Sequence, residues 1–389
     1  MSSYTGDLPE SKRASARRLS GRSIILIIVT VAAIVAAAAF VIYRNIQTFT
    51  GYTVERTYDL GNTSENVSVY KYADGFIEVS YSGVSYFDRR GSIWNEYFEM
   101  NRPIVDICED YIAIADTKQR DVYVFDRSGL VNRVSTTRDI IDVEISKAGV
   151  IAVSENSSES NYIEMKDRNG NELINIRSIF SSSGYPVDIS MSSDASRLAA
   201  AYITISSGNI GSRIQFYDFS WDKEGGDALV GTFDDYAGTI LTTIDFMGDN
   251  NLCAVGDNVI SFYRFTSSPS LITEERGIEN EIQSLYINDD YLVTVVRDYS
   301  EDTLFRADIY NRSGEKAASL GFDLPYTHIT LAGKNLMVYS SSACQLYGFE
   351  GNLRFSYSFD EHIDCLFSKG AADQYILVSG SSTRFIKLK

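Results

Sequence analysis

The stretch Ile140–Ser154, IIDVEISKAGVIAVS, decides the fold. Its first half alternates as a half-buried strand does, Lys147-Ala148-Gly149 makes a tight turn, and Val150 to Val153 continues as an apolar strand. The same grammar returns as NVSVYKYADGFIEVS from Asn66, IVDICEDYIAIAD from Ile104 and PVDISMSSDASRLAAAY from Pro186. It returns again as LTTIDFMGDNNLCAVG from Leu241, IQSLYINDDYLVTVV from Ile282, HITLAGKNLMVYS from His328 and HIDCLFSKGAADQYILVSG from His362. The eight copies start near 67, 104, 140, 186, 240, 282, 328 and 362. One such hairpin cannot bury its apolar faces alone, and a period near 40 residues is that of four-stranded units stacked on their neighbours.

Each unit also carries a second half, a strand that runs into a turn with Asp or Asn and Gly. Asp88 with Gly91, Asp126 with Gly129, Asp167 with Gly170, Asn311 with Gly314, and Gly351 mark these turns. The glycines supply positive φ between a third and a fourth strand. The eighth unit reaches Lys389 after only three strands, and YTVERTYDL, residues 52–60, supplies the missing one. Joining the two chain ends in this way removes exposed sheet edges. The expected fold is an all-β, eight-bladed β-propeller over residues 45–389; seven blades with one elaborated unit is the alternative.

Composition agrees with a β product and narrows the chemistry. The chain has 389 residues, 44% of them hydrophobic, with 26 Tyr and 20 Phe but only five Pro. Two histidines and four scattered cysteines exclude multi-His metal centres, zinc ribbons and haem attachment. Cys108, Cys253, Cys344 and Cys365 read as buried free thiols, with a Cys344–Cys365 bridge as the lesser reading. No phosphate-binding glycine motif is present.

Ahead of the repeats, residues 24–43 read IILIIVTVAAIVAAAAFVIY, twenty residues without a charge. A helix of that length is about 30 Å long, the thickness of a hydrocarbon core. Lys12, Arg13, Arg17, Arg18 and Arg22 precede it and Arg44 alone follows closely, so the N-terminus is expected in the cytoplasm. The expected organisation is a disordered basic tail over 1–22, a single-pass transmembrane helix over 23–44 in contact with membrane lipid, and an extracytoplasmic propeller at the cell envelope. A cleaved signal peptide is the competing reading, but the apolar run is longer than such segments need. Beyond residue 44 the chain holds 29 Lys and Arg against 50 Asp and Glu, a net charge of −21. Such a surface repels phosphate backbones, so no nucleic-acid partner is expected.

Ser68, Asp106, Asp142, Asp188, Thr243, Ser284, Thr330 and Asp364 lead the first strands of the units. The expectation is one ring of oxygens at a channel mouth. Its four carboxylates would suit Ca²⁺ if they converged, and no other cofactor is expected. The competing and preferred reading is structural: short oxygen-bearing side chains bond the backbone at crowded strand starts. His328 and His362 precede two ring positions in neighbouring units and are expected to approach each other at the mouth. With Asp106, Asp142, Asp188 and Asp364 they form the candidate binding set.

In strand grammar the repeats resemble the WD40-like and quinoprotein-like propellers, although the WD dipeptide, the GH signature and the quinoprotein tryptophan motifs are absent. The basic tail, single anchor and acidic repeat domain together resemble an uncharacterised family of clostridial membrane-anchored propellers, domain of unknown function 5711. That resemblance covers nearly the whole chain and implies no activity. The expected function is a membrane-tethered binding or scaffolding module for an envelope protein or glycan. The alternative is an extracytoplasmic hydrolase or lyase that uses the funnel carboxylates with His328 and His362; an enzyme is the less favoured of the two.

Overall fold

The computed structural model describes residues 27–36, 47–59, 67–206, 208–220, 228–299, 303–380 and 382–389. Two units are distinguished, Met1–Gln47 and Thr48–Lys389. In the first, residues 27–36 are helical, and the rest of the expected tail and anchor lies outside the described residues. No helix among the described residues is long and apolar enough to cross a membrane.

The second unit consists of eight four-stranded antiparallel sheets. Seven are built from consecutive strands, for example β10 (Asp139–Ile145), β11 (Ile151–Asn156), β12 (Ser160–Lys166) and β13 (Glu172–Ile179). The eighth follows the order β1, β32, β31, β30, so the first strand after the N-terminal unit completes the last sheet. Here β1 is Tyr52–Asp59, β30 is Cys365–Ser368, β31 is Gln374–Ser379 and β32 is Ser382–Leu388. Tyr52 pairs with Leu388 and Asp59 with Ser382. The propeller therefore has eight blades, not seven.

There is no single central core. The eight apolar clusters each lie between two successive blades, in ring order from the first pair to the pair formed by blades eight and one. This is why second strands are apolar on both faces, as in Tyr111–Asp116 and Asn335–Tyr339. Both faces of such a strand meet a neighbouring sheet, and an alternating pattern would bury polar groups there. Aromatic rings fill the wider, outer part of these wedges: Trp94 stacks on Phe125 at 5.2 Å, and Phe98 on Tyr123 at 3.9 Å.

Every outer strand carries a register shift near its start, at Val54/Arg56 in β1 and at the matching position in the other seven. A bulge bends and twists an edge strand, which spoils it as a template for pairing with another chain. The device answers the liability of eight exposed outer edges.

The sheets define two faces. Turns between first and second strands and between third and fourth strands lie on one, here called the turn face. Hairpins between second and third strands, and the links from blade to blade, lie on the other, the loop face. The chain enters the propeller at the turn face: the Phe49 amide donates to the Arg354 carbonyl and the Thr50 amide to that of Lys389. Phe49 is buried there, with the Arg354 guanidinium over its ring.

On the loop face, Gly83 illustrates how tightly one hairpin is set. Its φ is +144°, and a Cβ would lie 2.1 Å from the Glu96 carbonyl oxygen. Gly83→Ala is expected to cost roughly 2–3 kcal/mol. Gly238, at φ +72° with open space around it, should cost only about 1 kcal/mol on the same change. Urea unfolding midpoints of the two variants check the difference, and equal losses would refute the close-approach argument.

Candidate functional site

Cross-strand register sorts the innermost strands into layers. Ser68, Ile104, Asp142, Asp188, Thr243, Ser284, His328 and Cys365 occupy the layer nearer the loop face. Tyr70, Asp106, Glu144, Ser190, Asp245, Tyr286, Thr330 and Phe367 form the next layer inward. The single ring of oxygens expected from sequence is thus corrected. Asp106 and Thr330 belong one layer deeper than Asp142 and Asp188, and Asp364 precedes its strand altogether. The cause is distance from the turn to the second strand: Asp106 stands two residues before Cys108, which pairs with Tyr111 across that turn, whereas Asp142 stands four before Ser146, whose amide donates to Val150.

Resorting the layers reveals two carboxylates that the sequence reading missed, Glu144 and Asp245. Each stands two residues after a residue the reading did single out, Asp142 and Thr243, and strand alternation was the available signal. Asp106, Asp142, Glu144, Asp188 and Asp245 line one wall of the channel, over blades two to five.

These side chains share a structural task. The innermost strand of a blade is a sheet edge whose N–H groups have no partner within the sheet. Asp106 accepts from the Ile145 amide of the next blade at 2.6 Å, and from its neighbour Ile107 at 2.8 Å. Asp188 accepts from Ile244 at 2.8 Å, Glu144 from Met191 at 3.3 Å, and the Ser190 hydroxyl from Phe246 at 3.0 Å. Asp142 accepts from Val143 at 2.9 Å. The carboxylates therefore stitch blade two to three, three to four and four to five through backbone amides.

Their protonation follows from where they sit. Each is half-exposed because it borders the channel, yet protein surrounds it closely. Burial, aided by the neighbouring carboxylates, raises Asp245 to about 7 and drives Glu144 well above the usual range. Burial likewise raises Asp106, Asp142 and Asp188. The wall holds protons near neutral pH rather than five full charges. Among the described residues no three His, Cys, Asp or Glu side chains are placed to hold a metal ion. The carboxylates that suggested Ca²⁺ are divided between two layers and engaged with backbone.

Across the channel, blades seven, eight and one form a different wall. The inner strands there are short: His328–Leu331 and Cys365–Ser368 have four residues each, against six or seven in blades two to six. The shortening opens a cavity of about 570 Å³ at the loop-face mouth, bordered by both His328 and His362 together with Ser68, Tyr70, Asp364 and Phe367. His362 Nε2 lies 3.5 Å from Asp364 Oδ1, and the His328 ring sits 5.3 Å from that of Tyr339. Asp364 Oδ2 accepts the Gly380 amide at 2.6 Å. The structure brings His328, His362 and Asp364 to one cavity and leaves Asp106, Asp142 and Asp188 on the opposite wall. All four cysteines are free thiols; burial, with Asp364 adding to it, pushes Cys365 up to about 11.

No curated protein matches the sequence. Among solved structures, the chain is similar to BamB from Moraxella catarrhalis at 17% identity and a TM-score of 0.52, over 86% of this chain and 99% of that one. It is also similar to Chaetomium thermophilum Sqt1, solved bound to the N-terminus of ribosomal protein L10, at 11% identity and a TM-score of 0.51 over 83% and 92% of the two chains. At these identities the likeness speaks for the propeller architecture alone. The match that reaches sequence covers residues 45–388, from the residues before the closing strand to the penultimate position, and by it the chain belongs to the family of unknown function DUF5711.

Proposed function

We propose that the chain is a membrane-tethered, extracytoplasmic binding module that presents its loop face to an envelope protein or glycan. The observation that carries this reading is the distribution of exposed apolar side chains. Tyr97, Tyr299 and Ile205 are 83%, 80% and 76% exposed, and all three stand on the loop face. Tyr81, Tyr185 and Ile210 join them there. Large aromatic groups held out on a rigid scaffold suit partner recognition, and this face is opposite the one where the chain enters the propeller. The uncharged run at 24–43 and its basic N-terminal flank support a tether with the propeller outside the cell. A hydrolase or lyase would need an acid and a base converging on one point. The channel carboxylates accept backbone amides instead, so the binding reading is preferred.

The test is photo-crosslinking in intact cells followed by recovery of the captured molecule. Tyr97→Ala combined with Tyr299→Ala should reduce recovery at least tenfold while the melting temperature stays unchanged. Recovery that is indifferent to these loop-face changes, or a propeller that added protease cannot reach in intact protoplasts, refutes the proposal.

A further inference from the structure

We propose that the mouth cavity between blades seven, eight and one binds an organic cation carried on a peptide, the guanidinium or ammonium of a partner's Arg or Lys. This rests on the binding-module reading and names the chemistry that one part of that face selects.

Shape comes first. At about 570 Å³ the cavity has the size of a small-ligand site, and it exists because two adjacent inner strands begin late. An extended long side chain fits such a depth; a flat surface contact would not require it.

Charge selects the sign. Among the described residues no lysine or arginine borders the cavity, whereas Asp364 does. One oxygen of Asp364 is fixed by the Gly380 amide, and its side chain remains 42% exposed. The other oxygen faces His362, whose side chain is itself 69% exposed. A pre-oriented carboxylate with an open lone pair is an acceptor for a guanidinium or ammonium. The surrounding loop face carries both signs, with exposed Glu99, Asp257, Glu279, Asp323 and Asp360 alongside exposed Arg102, Lys118, Arg120 and Arg276.

Lining chemistry narrows the class further. Tyr70, Tyr339 and Phe367 border the same space. Aromatic faces attract cations through their quadrupole and cover the methylene stem of a Lys or Arg at the same time. A metal ion would gain nothing from them.

Calorimetric titration of the full-length protein in nanodiscs tests the assignment. The probes are a blocked Gly-Gly-Arg-Gly-Gly peptide, its citrulline counterpart and a neutral chito-oligosaccharide. The arginine peptide should bind at least tenfold tighter than the citrulline peptide, and raising NaCl from 50 to 300 mM should weaken it several-fold. Asp364→Asn should abolish the preference for arginine over citrulline; Tyr70→Leu should weaken the arginine peptide and reduce that preference without abolishing it. Equal affinity for the two peptides, an arginine preference that survives Asp364→Asn, or tighter binding of the oligosaccharide at this mouth overturns the proposal. Loss of partner capture in the Tyr97/Tyr299 double variant with peptide binding intact supports the cation site by itself. Peptide indifference with capture still dependent on those tyrosines refutes the cation site and spares the module reading.

Discussion

Deleting Ser382–Lys389 is expected to abolish the cooperative unfolding transition of the whole propeller, not to loosen one blade. The deleted strand, β32, bridges β31 and β1, and it buries Phe385, Ile386 and Leu388. Full burial of three such side chains is worth about 5–9 kcal/mol in area alone, comparable to the net stability of an ordinary domain. Its loss also strips β1 of its only partner strand and frees the Thr50 amide, which donates to Lys389. The adjoining layer between blades eight and one cannot compensate. Among the described residues it holds four buried apolar residues, whereas the layer between blades seven and eight holds fourteen. Tyr58, Glu78 and Thr383 place buried polar atoms without partners in that thin seam, and burial raises Glu78 to about 7. Circular dichroism melting and size-exclusion chromatography of the truncated chain check the expectation. A cooperative melt within about 5 °C of the full chain would show that closure is dispensable.

The repeat was legible in sequence because each blade meets the same physical demand. A strand flanked by sheets on both sides must be apolar throughout, so Tyr111–Asp116 and Asn335–Tyr339 look alike without sharing residues. The closing strand was legible for a related reason: three strands at one end and one at the other leave a single way to hide both edges. What alternation could not give was depth along the channel. Asp106 lies two residues from the residue that closes its turn and Asp142 four, so equivalent-looking carboxylates fall in different layers. Where the turn closes has no side-chain signature here, so Glu144 and Asp245 stayed hidden beside the residues that were noticed. His328 and His362 border one mouth because His328 opens one short inner strand and His362 stands three residues before the other, in the adjacent unit. The cavity between them depends on how late those strands begin, and a sequence does not state that.

The channel carboxylates give the second large expectation: the propeller should become more stable as pH falls from 8 to about 5. Burial raises the folded-state pKa of Asp106 to about 6, of Asp245 to about 7 and of Asp188 to about 8, with Asp142 and Glu144 raised as well. In the unfolded chain these groups titrate near 4. The folded state therefore binds more protons across this window, and its stability declines as pH rises through the raised values. Below about pH 4 the sign reverses, because hydrogen bonds hold Asp88, Asp121 and Glu361 below the usual range and protonation removes that contribution. Since the channel groups are half-exposed, the sum is discounted to about 2–3 kcal/mol between pH 8 and 5, roughly a 5 °C rise in melting temperature. General relief of the negative surface would act in the same direction, so the local origin needs its own test. Asp188→Asn keeps an oxygen for the Ile244 amide and removes the charge. It should gain about 1 kcal/mol over the parent at pH 8 and match it at pH 5. Asp188→Ala leaves that amide unpaired and should lose about 1–3 kcal/mol at pH 5. Melting the three proteins at both pH values separates the roles. An Asn variant as unstable as the Ala variant at pH 8 would mean that the charge itself, and not the accepted hydrogen bond, holds blades four and five together.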